Sequence, residues 1–320
     1  MRRDMIVIGG SAGALEPLKQ IVADLPADLP AVVIAVIHVG ATSRSALAAI
    51  LNRETGLQVV MPRDGDALLP GCVYVPTPDH HLEVADGTIR VTRRPRVNGM
   101  RPAIDVLFRT AAAAYGGRVA GVVLSGGLDD GSAGLAAIRA AGGIGIVQSP
   151  DDAIVDSMPR NAIEVARPEH VLPATRIGST IANVVRGPSE ARPVGTAGGM
   201  EMETVGARDT PGQVTGITCP ECHGSIWLQS GEGGEVQLTC RVGHSYSPES
   251  FYEIQSENVE NALWAGVRSL EEQSSLAGVL ASKAARFKDD DASRRYERRR
   301  EVANENAAAL RKVILERSDA

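Results

Sequence analysis

The chain has 320 residues and a formal net charge of -6, and it is 43% hydrophobic but only 3% aromatic. Those figures allow two or three domains around an aliphatic core and argue against a general nucleic-acid binder. No apolar run approaches the ~20 residues of a bilayer span, which argues against membrane insertion.

The start, Met1-Arg2-Arg3-Asp4, has the charge of a signal peptide, but Gly9, Gly10 and Glu16 break the apolar run and no cleavage site follows, so a cytoplasmic location is expected. Met5 to Ile8 reads as a buried strand. It leads into Gly9-Gly10-Ser11-Ala12-Gly13, a G-x-S-x-G turn of the kind that exposes a serine hydroxyl between strand and helix. The spacing fits neither the dinucleotide fingerprint nor a P-loop. A helix is expected from Ala14 to about Asp24. A second apolar run, Ala31 to Ile37, ends at His38, and Ser43 is placed to cap a helix through Leu51.

Short strands follow at Leu57–Val60 and Val73–Val75, then a hairpin over His81–Arg93 turning at Asp86-Gly87. The pattern continues with a helix over Arg101–Ala114, a strand over Val119–Leu124 and a helix over Ser132–Ala141. A strand over Gly143–Val147 and a helix over Ser157–Val165 complete it. This alternation to about residue 182 predicts an α/β fold, a doubly wound, mainly parallel sheet with helices on both faces.

In such sheets the working site lies beyond the carboxyl ends of the strands. Ser11, His38 and Asp130 all follow apolar runs, and a nucleophile, a base and an orienting carboxylate are the set that acyl transfer needs. Each has a plainer reading: a strand-end histidine is often structural, and Asp130, or its neighbour Asp129, could cap the helix starting near Ser132. His80, His81 and His170 are expected at the surface or behind the site.

The segment from about Asp4 to Val185 resembles the catalytic domain of the CheB family, the chemotaxis protein-glutamate methylesterases. The resemblance rests on Val7-Ile8-Gly9-Gly10-Ser11-Ala12-Gly13, His38, Leu69-Pro70-Gly71, Tyr74-Val75-Pro76 and Val97-Asn98. It continues through Arg101-Pro102, Asp105-Val106-Leu107-Phe108, Gly121 to Gly126, Asp130-Gly131 and Met158 to Ile163. It implies Ser11 as nucleophile, His38 as general base and acid, and Asp130 as orienter. It also implies a substrate of γ-glutamyl methyl esters on a receptor or signalling protein, with glutamine deamidation at the same site and no cofactor for catalysis. The sequence departs from the family at three places. Ala12-Gly13-Ala14 replaces Thr-Gly-Gly, Ile37 and Val39 replace Gln and Met, and Gly126-Gly127-Leu128 replaces Gly-Met-Gly. The resemblance therefore puts Ala12 and Gly127 in the oxyanion loop by position. The family's receiver domain is expected to be absent, and with it activation in cis by phosphorylation. A scaffold or adaptor is the reading from another class.

Residues 187–213, rich in Gly, Pro and Thr, are expected to be a linker between domain 1–186 and a module at 214–247. That module carries Cys219, Cys222, Cys240 and His244 in a C-x2-C-x17-C-x3-H spacing suited to a structural zinc, with His223 as rival fourth ligand. This zinc-ribbon-like module has few basic residues, so it is not read as a nucleic-acid module. From Pro248 the chain is expected to be helical, breaking at Lys288–Asp291 with Ser293 as cap. The inward residues expected are Phe251, Ile254, Leu263, Val267, Leu270, Leu276 and Leu280, then Val302, Leu310, Val313 and Ile314. They suggest an antiparallel pair or a homodimer through these helices.

Overall fold

The structure, a computed structural model, describes residues 3–38, 46–85, 87–187, 213–230 and 236–318. The chain divides into two compact units, Met1–Phe251 and Tyr252–Ala320.

In the first unit β1 (Met5–Gly10), α1 (Leu15–Asp24), β2 (Val32–Ile37), α2 (Leu47–Glu54), β3 (Gln58–Val60) and β4 (Cys72–Tyr74) come first. The hairpin β5 (His81–Ala85) and β6 (Thr88–Thr92) follows, then α3 (Ile104–Tyr115), β7 (Val119–Val123), α4 (Ser132–Ala140) and β8 (Ile144–Gln148). The elements α5 (Ser157–Ala166), β9 (His170–Leu172) and α6 (Ala174–Arg186) end this part. Seven strands form one sheet in the order β3-β4-β2-β1-β7-β8-β9, with every neighbouring pair parallel. The chain starts in the middle, winds outward through β2, and then returns beside β1 with β7. The direction of winding therefore reverses next to β1, where a crevice forms at the carboxyl ends of the strands.

The continuous apolar runs are explained by burial on both faces. Ile6 and Ile8 face a core shared with Leu18 and Ile21 of α1 and with Ile177 and Ile181 of α6. Met5 and Val7 face the opposite core, against Leu107 and Phe108 of α3 and Leu135 and Ile138 of α4. All of these side chains are fully buried.

Some boundaries differ from expectation for identifiable reasons. The helix expected from Arg101 begins at Ile104, because Ala103 is extended and the Asp130 carboxylate accepts the Ile104 and Asp105 N–H groups at 2.7 and 3.1 Å. The cap comes from a distant loop, which local sequence does not announce. Ser43 and Asp86 lie outside the described residues, as does the expected linker between residues 187 and 213. The helix placed after Ser43 runs Leu47–Glu54.

The remaining part of the first unit is a four-stranded antiparallel sheet: β10 (Gln213–Thr218), β11 (Ser225–Ser230), β12 (Val236–Cys240) and β13 (Ser245–Tyr246).

In the second unit, α7 (Pro248–Arg286) and α8 (Asp290–Ser318) run antiparallel. Gly266 lies beside Leu310, Gly278 beside Arg300, and Ser293 donates to the Ala281 carbonyl. The seam is lined mostly by small residues, Ser274, Ala277 and Ala281 on one helix and Ala303 and Ala307 on the other, with Val267 and Ile314 buried as expected. Leu276, Val302 and Val313, expected to point inward, are instead exposed. Pairs of alanines four residues apart, Ala277 with Ala281 and Ala303 with Ala307, share a helix face and let the helices approach closely. The cap of α8 is Asp289, which accepts the Ala292 N–H at 2.9 Å, and not Ser293.

Candidate active site

Ser11 and His38 are the residues immediately after β1 and β2. The last residues of those strands, Gly10 and Ile37, are register partners. The His38 N–H donates to the Gly10 carbonyl at 3.0 Å, and the Ser11 N–H donates to the Ser125 carbonyl beyond β7 at 2.9 Å. Three neighbouring strand ends are thus tied together at the crevice. A Cβ on Gly126 would lie 2.9 Å from the Ser11 Cβ, so the loop after β7 comes this close to the serine only because residue 126 has no side chain.

The imidazole of His38 bonds through Nε2 to Asp130 Oδ2 at 2.8 Å, and both side chains are buried. Asp130 is not the cap of the helix that follows it. Its Oδ2 and Oδ1 take the first two N–H groups of α3, and the positive end of that helix faces the carboxylate. Burial alone would raise its pKa, but the hydrogen bond and charge of His38, with those two N–H groups, hold it below the usual carboxylate value.

Asp105 is the reciprocal element. Its Oδ1 accepts the Gly131 N–H at 3.0 Å and the Gly134 N–H at 2.6 Å, so it caps α4 from α3 while Asp130 caps α3 from the loop before α4. Burial, followed by the neighbouring Asp130 charge, pushes its pKa up to about 7. Two buried carboxylates side by side cannot both ionise cheaply, and the one bonded to the imidazole keeps the charge.

A model described as CheB methylesterase matches residues 6–181. The chain belongs to the CheB methylesterase family. A Pseudomonas aeruginosa protein-glutamate methylesterase/protein-glutamine glutaminase 2 is 40% identical over 181 residues, covering 55% of this chain and 52% of that protein. A Leptospira interrogans protein named for the same two activities is 36% identical over 178 residues, covering 55% of this chain and 92% of its own. The crystal structure of the Thermotoga maritima CheB methylesterase catalytic domain superposes with a TM-score of 0.55 at 30% identity, covering 58% of this chain and all of that one. The chain spans about half the length of the Pseudomonas relative.

Within this CheB frame, the turn that carries Ala12 is joined to the loop after β7. The Ala12 carbonyl accepts the Ser125 hydroxyl at 2.8 Å, which ties the turn to the loop after β7. Gly127 has open space where a side chain would go.

Of the two places expected for His81, at the surface or behind the site, the structure shows the second, for it is buried. Its Nδ1 accepts the Ala103 N–H, and its Nε2 lies 3.2 Å from the Pro95 carbonyl, a geometry that fixes the neutral tautomer. Burial lowers its pKa accordingly. His81 therefore braces the strap of residues 93–103 between β6 and α3. The same strap carries Asn98, which is buried and reaches both aspartates. Sequence reasoning gave Asn98 and Asp105 no role. Asp105 reads as one more acidic residue in a first helical turn, and only its burial distinguishes it.

A second cluster lies in the four-stranded sheet. Cys219 and Cys222 stand in the β10–β11 turn, and Cys240 and His244 flank the β12–β13 turn. Their ligand atoms all lie within 4.8 Å of one another. The Sγ atoms of Cys222 and Cys240 are 3.6 Å apart, and His244 Nδ1 is 3.6 Å from Cys219 Sγ and 3.5 Å from Cys240 Sγ. Zinc–sulfur bonds of ~2.3 Å in a tetrahedron imply edges of ~3.7 Å, so the spacing suits a closed four-ligand site. His244 Nε2 lies 3.4 Å from Glu221, the outer carboxylate that orients a metal-bound imidazole. His223 is not in the group; its N–H donates to the Cys219 carbonyl and closes the knuckle.

Proposed function

We propose that this chain is a serine hydrolase of protein γ-glutamyl methyl esters, acting on a methylated receptor or signalling protein in the cytoplasm. The observation that carries the reading is the 2.8 Å bond between His38 Nε2 and the Asp130 carboxylate at the strand ends that also bear Ser11. With Nε2 committed to Asp130, Nδ1 is the ring nitrogen that takes the serine's proton. Ser11 Oγ attacks the ester carbonyl, and the Ala12 and Gly127 N–H groups receive the developing oxyanion. The imidazolium returns the proton to the departing methoxide, and methanol leaves. Water, deprotonated by the same nitrogen, then releases the glutamate side chain and frees Ser11. Asp130 stays ionised throughout and stabilises the imidazolium.

A glutamine side chain offers the same acyl carbon with ammonia as leaving group. The names of the relatives, which pair the two activities, favour deamidation as a second reaction of this site. Ser11→Ala tests both. Methanol release from methylated receptor and ammonia release from unmethylated receptor are expected to fall on the order of 10⁶-fold, as with other serine hydrolases. Undiminished release from the variant overturns the assignment.

The Cys219, Cys222, Cys240 and His244 group is proposed to hold a structural zinc ion. The four-ligand spacing supports this, and four protein ligands leave no position for a substrate or water. The expected result is one zinc per chain by elemental analysis.

A further inference from the structure

The short stretch after the metal ligand His244 is stitched to the neighbourhood of Asp130. The Asn98 N–H donates to the Ser245 carbonyl at 2.7 Å, and Ser245 donates back to the Arg96 carbonyl at 3.3 Å. The Ser247 N–H donates to Asn98 Oδ1 at 2.9 Å. On the other side of the triad carboxylate, the Ser250 hydroxyl donates to Asp129 at 2.6 Å. The chain leaving the cysteine–histidine cluster therefore grips the strap in front of α3 and the residue next to Asp130.

Asn98 is where these contacts converge. It is buried, with its backbone at φ 52°, a conformation that asparagine tolerates better than most residues. With Oδ1 occupied by Ser247, its Nδ2 is 3.4 Å from Asp130 Oδ1 and 3.5 Å from Asp105 Oδ2. The amide group thus sits between the two carboxylates with one N–H available to each. These contacts are long, as such bonds often are before a reaction develops charge.

We propose that Asn98 is a positioning residue for the triad: its amide, oriented by the segment that follows the metal cluster, fixes the Asp130 carboxylate against His38. Metal in the cluster then supports the esterase at a distance by holding that segment in place. The inference rests on the serine-hydrolase and zinc readings above for its context, and its test separates from both.

The full chain is prepared zinc-loaded and chelator-stripped, as wild type, Asn98→Gly and Asn98→Asp. Two quantities are read. One is the limiting rate constant for labelling of Ser11 by a fluorophosphonate, kept apart from half-saturation and from the fraction labelled. The other is the proton resonance of the His38 imidazole in its bond to Asp130. Asn98→Gly accepts the backbone angle but removes the amide. Asn98→Asp keeps the acceptor for Ser247 but offers no N–H to the carboxylates. Both variants are expected to lower the rate constant roughly ten- to a hundredfold, the range for one hydrogen bond to a charged group. Half-saturation and labelled fraction stay unchanged, and the imidazole resonance shifts or broadens. Stripping zinc from wild type does the same, and stripping zinc from Asn98→Gly adds nothing.

Wild-type labelling and resonance in Asn98→Gly, which has no side-chain donor, overturn the positioning role. Stripping that slows Asn98→Gly as much as wild type overturns the coupling. A chain that binds no zinc overturns the metal's share while the Asn98 variants still report on positioning. A wild type that never labels overturns the esterase reading, and the imidazole resonance then decides the proposal alone.

Discussion

Asp105 and Asp130 are chemically identical, and their surroundings give them opposite tasks. Asp130 is held ionised by His38 and by the first N–H groups of α3; Asp105 is raised to about 7 by burial and by its neighbour's charge. For Asp130, Asp130→Asn keeps the shape but loses the charge that stabilises the imidazolium, and turnover is expected to fall on the order of 10⁴-fold in methanol-release assays. For Asp105 the consequence is one of stability. Between pH 3.8 and about 7 the unfolded chain has released this proton and the folded chain still binds it, so stability falls as pH rises through that window. The full effect is on the order of 4 kcal/mol. Asp130 acts in the opposite direction and at lower pH: the stability it adds is present above its unfolded value and is lost as pH falls through its depressed folded value. Asp105→Asn keeps an acceptor for Gly131 and Gly134 and gives up the long contact with Asn98 and the charge attraction of Arg109. Its melting temperature is expected to be no lower than wild type at pH 8, with a flatter profile between pH 4 and 7. A variant that melts far below wild type at pH 8 shows that Asp105 is needed as an anion.

Among elements, α3 and α4 carry the site because α4 is capped by Asp105 of α3 and α3 by Asp130 of the loop that leads into α4, and the helices pack closely enough to make that exchange. Gly134 marks the closest approach: a Cβ there would lie 2.6 Å from the Phe108 Cβ and 3.1 Å from the Asp105 Cα. Alanine would improve helix propensity by about 1 kcal/mol. Forcing a fully buried ring and a helix backbone apart costs about 1–3 kcal/mol, so packing wins or at best cancels. Gly134→Ala is expected to lower the urea midpoint with an unchanged slope, and a raised midpoint refutes the close approach. The strands β1, β2, β7 and β8 were legible because burial on both faces leaves unbroken apolar runs, and Ser11 and His38 were legible because they end such runs. β9 has three residues between prolines, too few for a period to show. α6 does carry a signal in Ile177, Ile181 and Val185, unread among its threonines and glycine. In the α7–α8 seam Val267 and Ile314 were legible as large apolar residues, whereas Ala277, Ala281, Ala303 and Ala307 were missed because a search for large apolar side chains passes over alanine. The exchanged caps could not be read locally at all, since each links residues about 26 positions apart.

At the scale of the whole molecule, the parallel sheet and the cysteine module are expected to draw on different sources of stability. The sheet has two aliphatic cores, one on each face. The module buries few large side chains, chiefly Ile226, Leu238 and Tyr246, too little apolar area to offset the entropy of ordering its strands. Metal binding, with apparent energies of roughly 10–16 kcal/mol for structural zinc, is of the right size to make up the difference. The four cysteines report on the two parts separately, because Cys72 lies buried in the parallel sheet with its thiol 3.8 Å from Gln58, away from the other three. With zinc bound, an aromatic disulfide reagent is expected to react slowly with all four thiols. After chelation, Cys219, Cys222 and Cys240 should react rapidly while Cys72 stays protected until urea unfolds the sheet. If Cys72 opens at the same rate as the others on chelation, the metal is holding the parallel sheet as well, and the two sources of stability are one. If the three module thiols stay protected without metal, the small antiparallel sheet stands on its own packing and the staple is unnecessary.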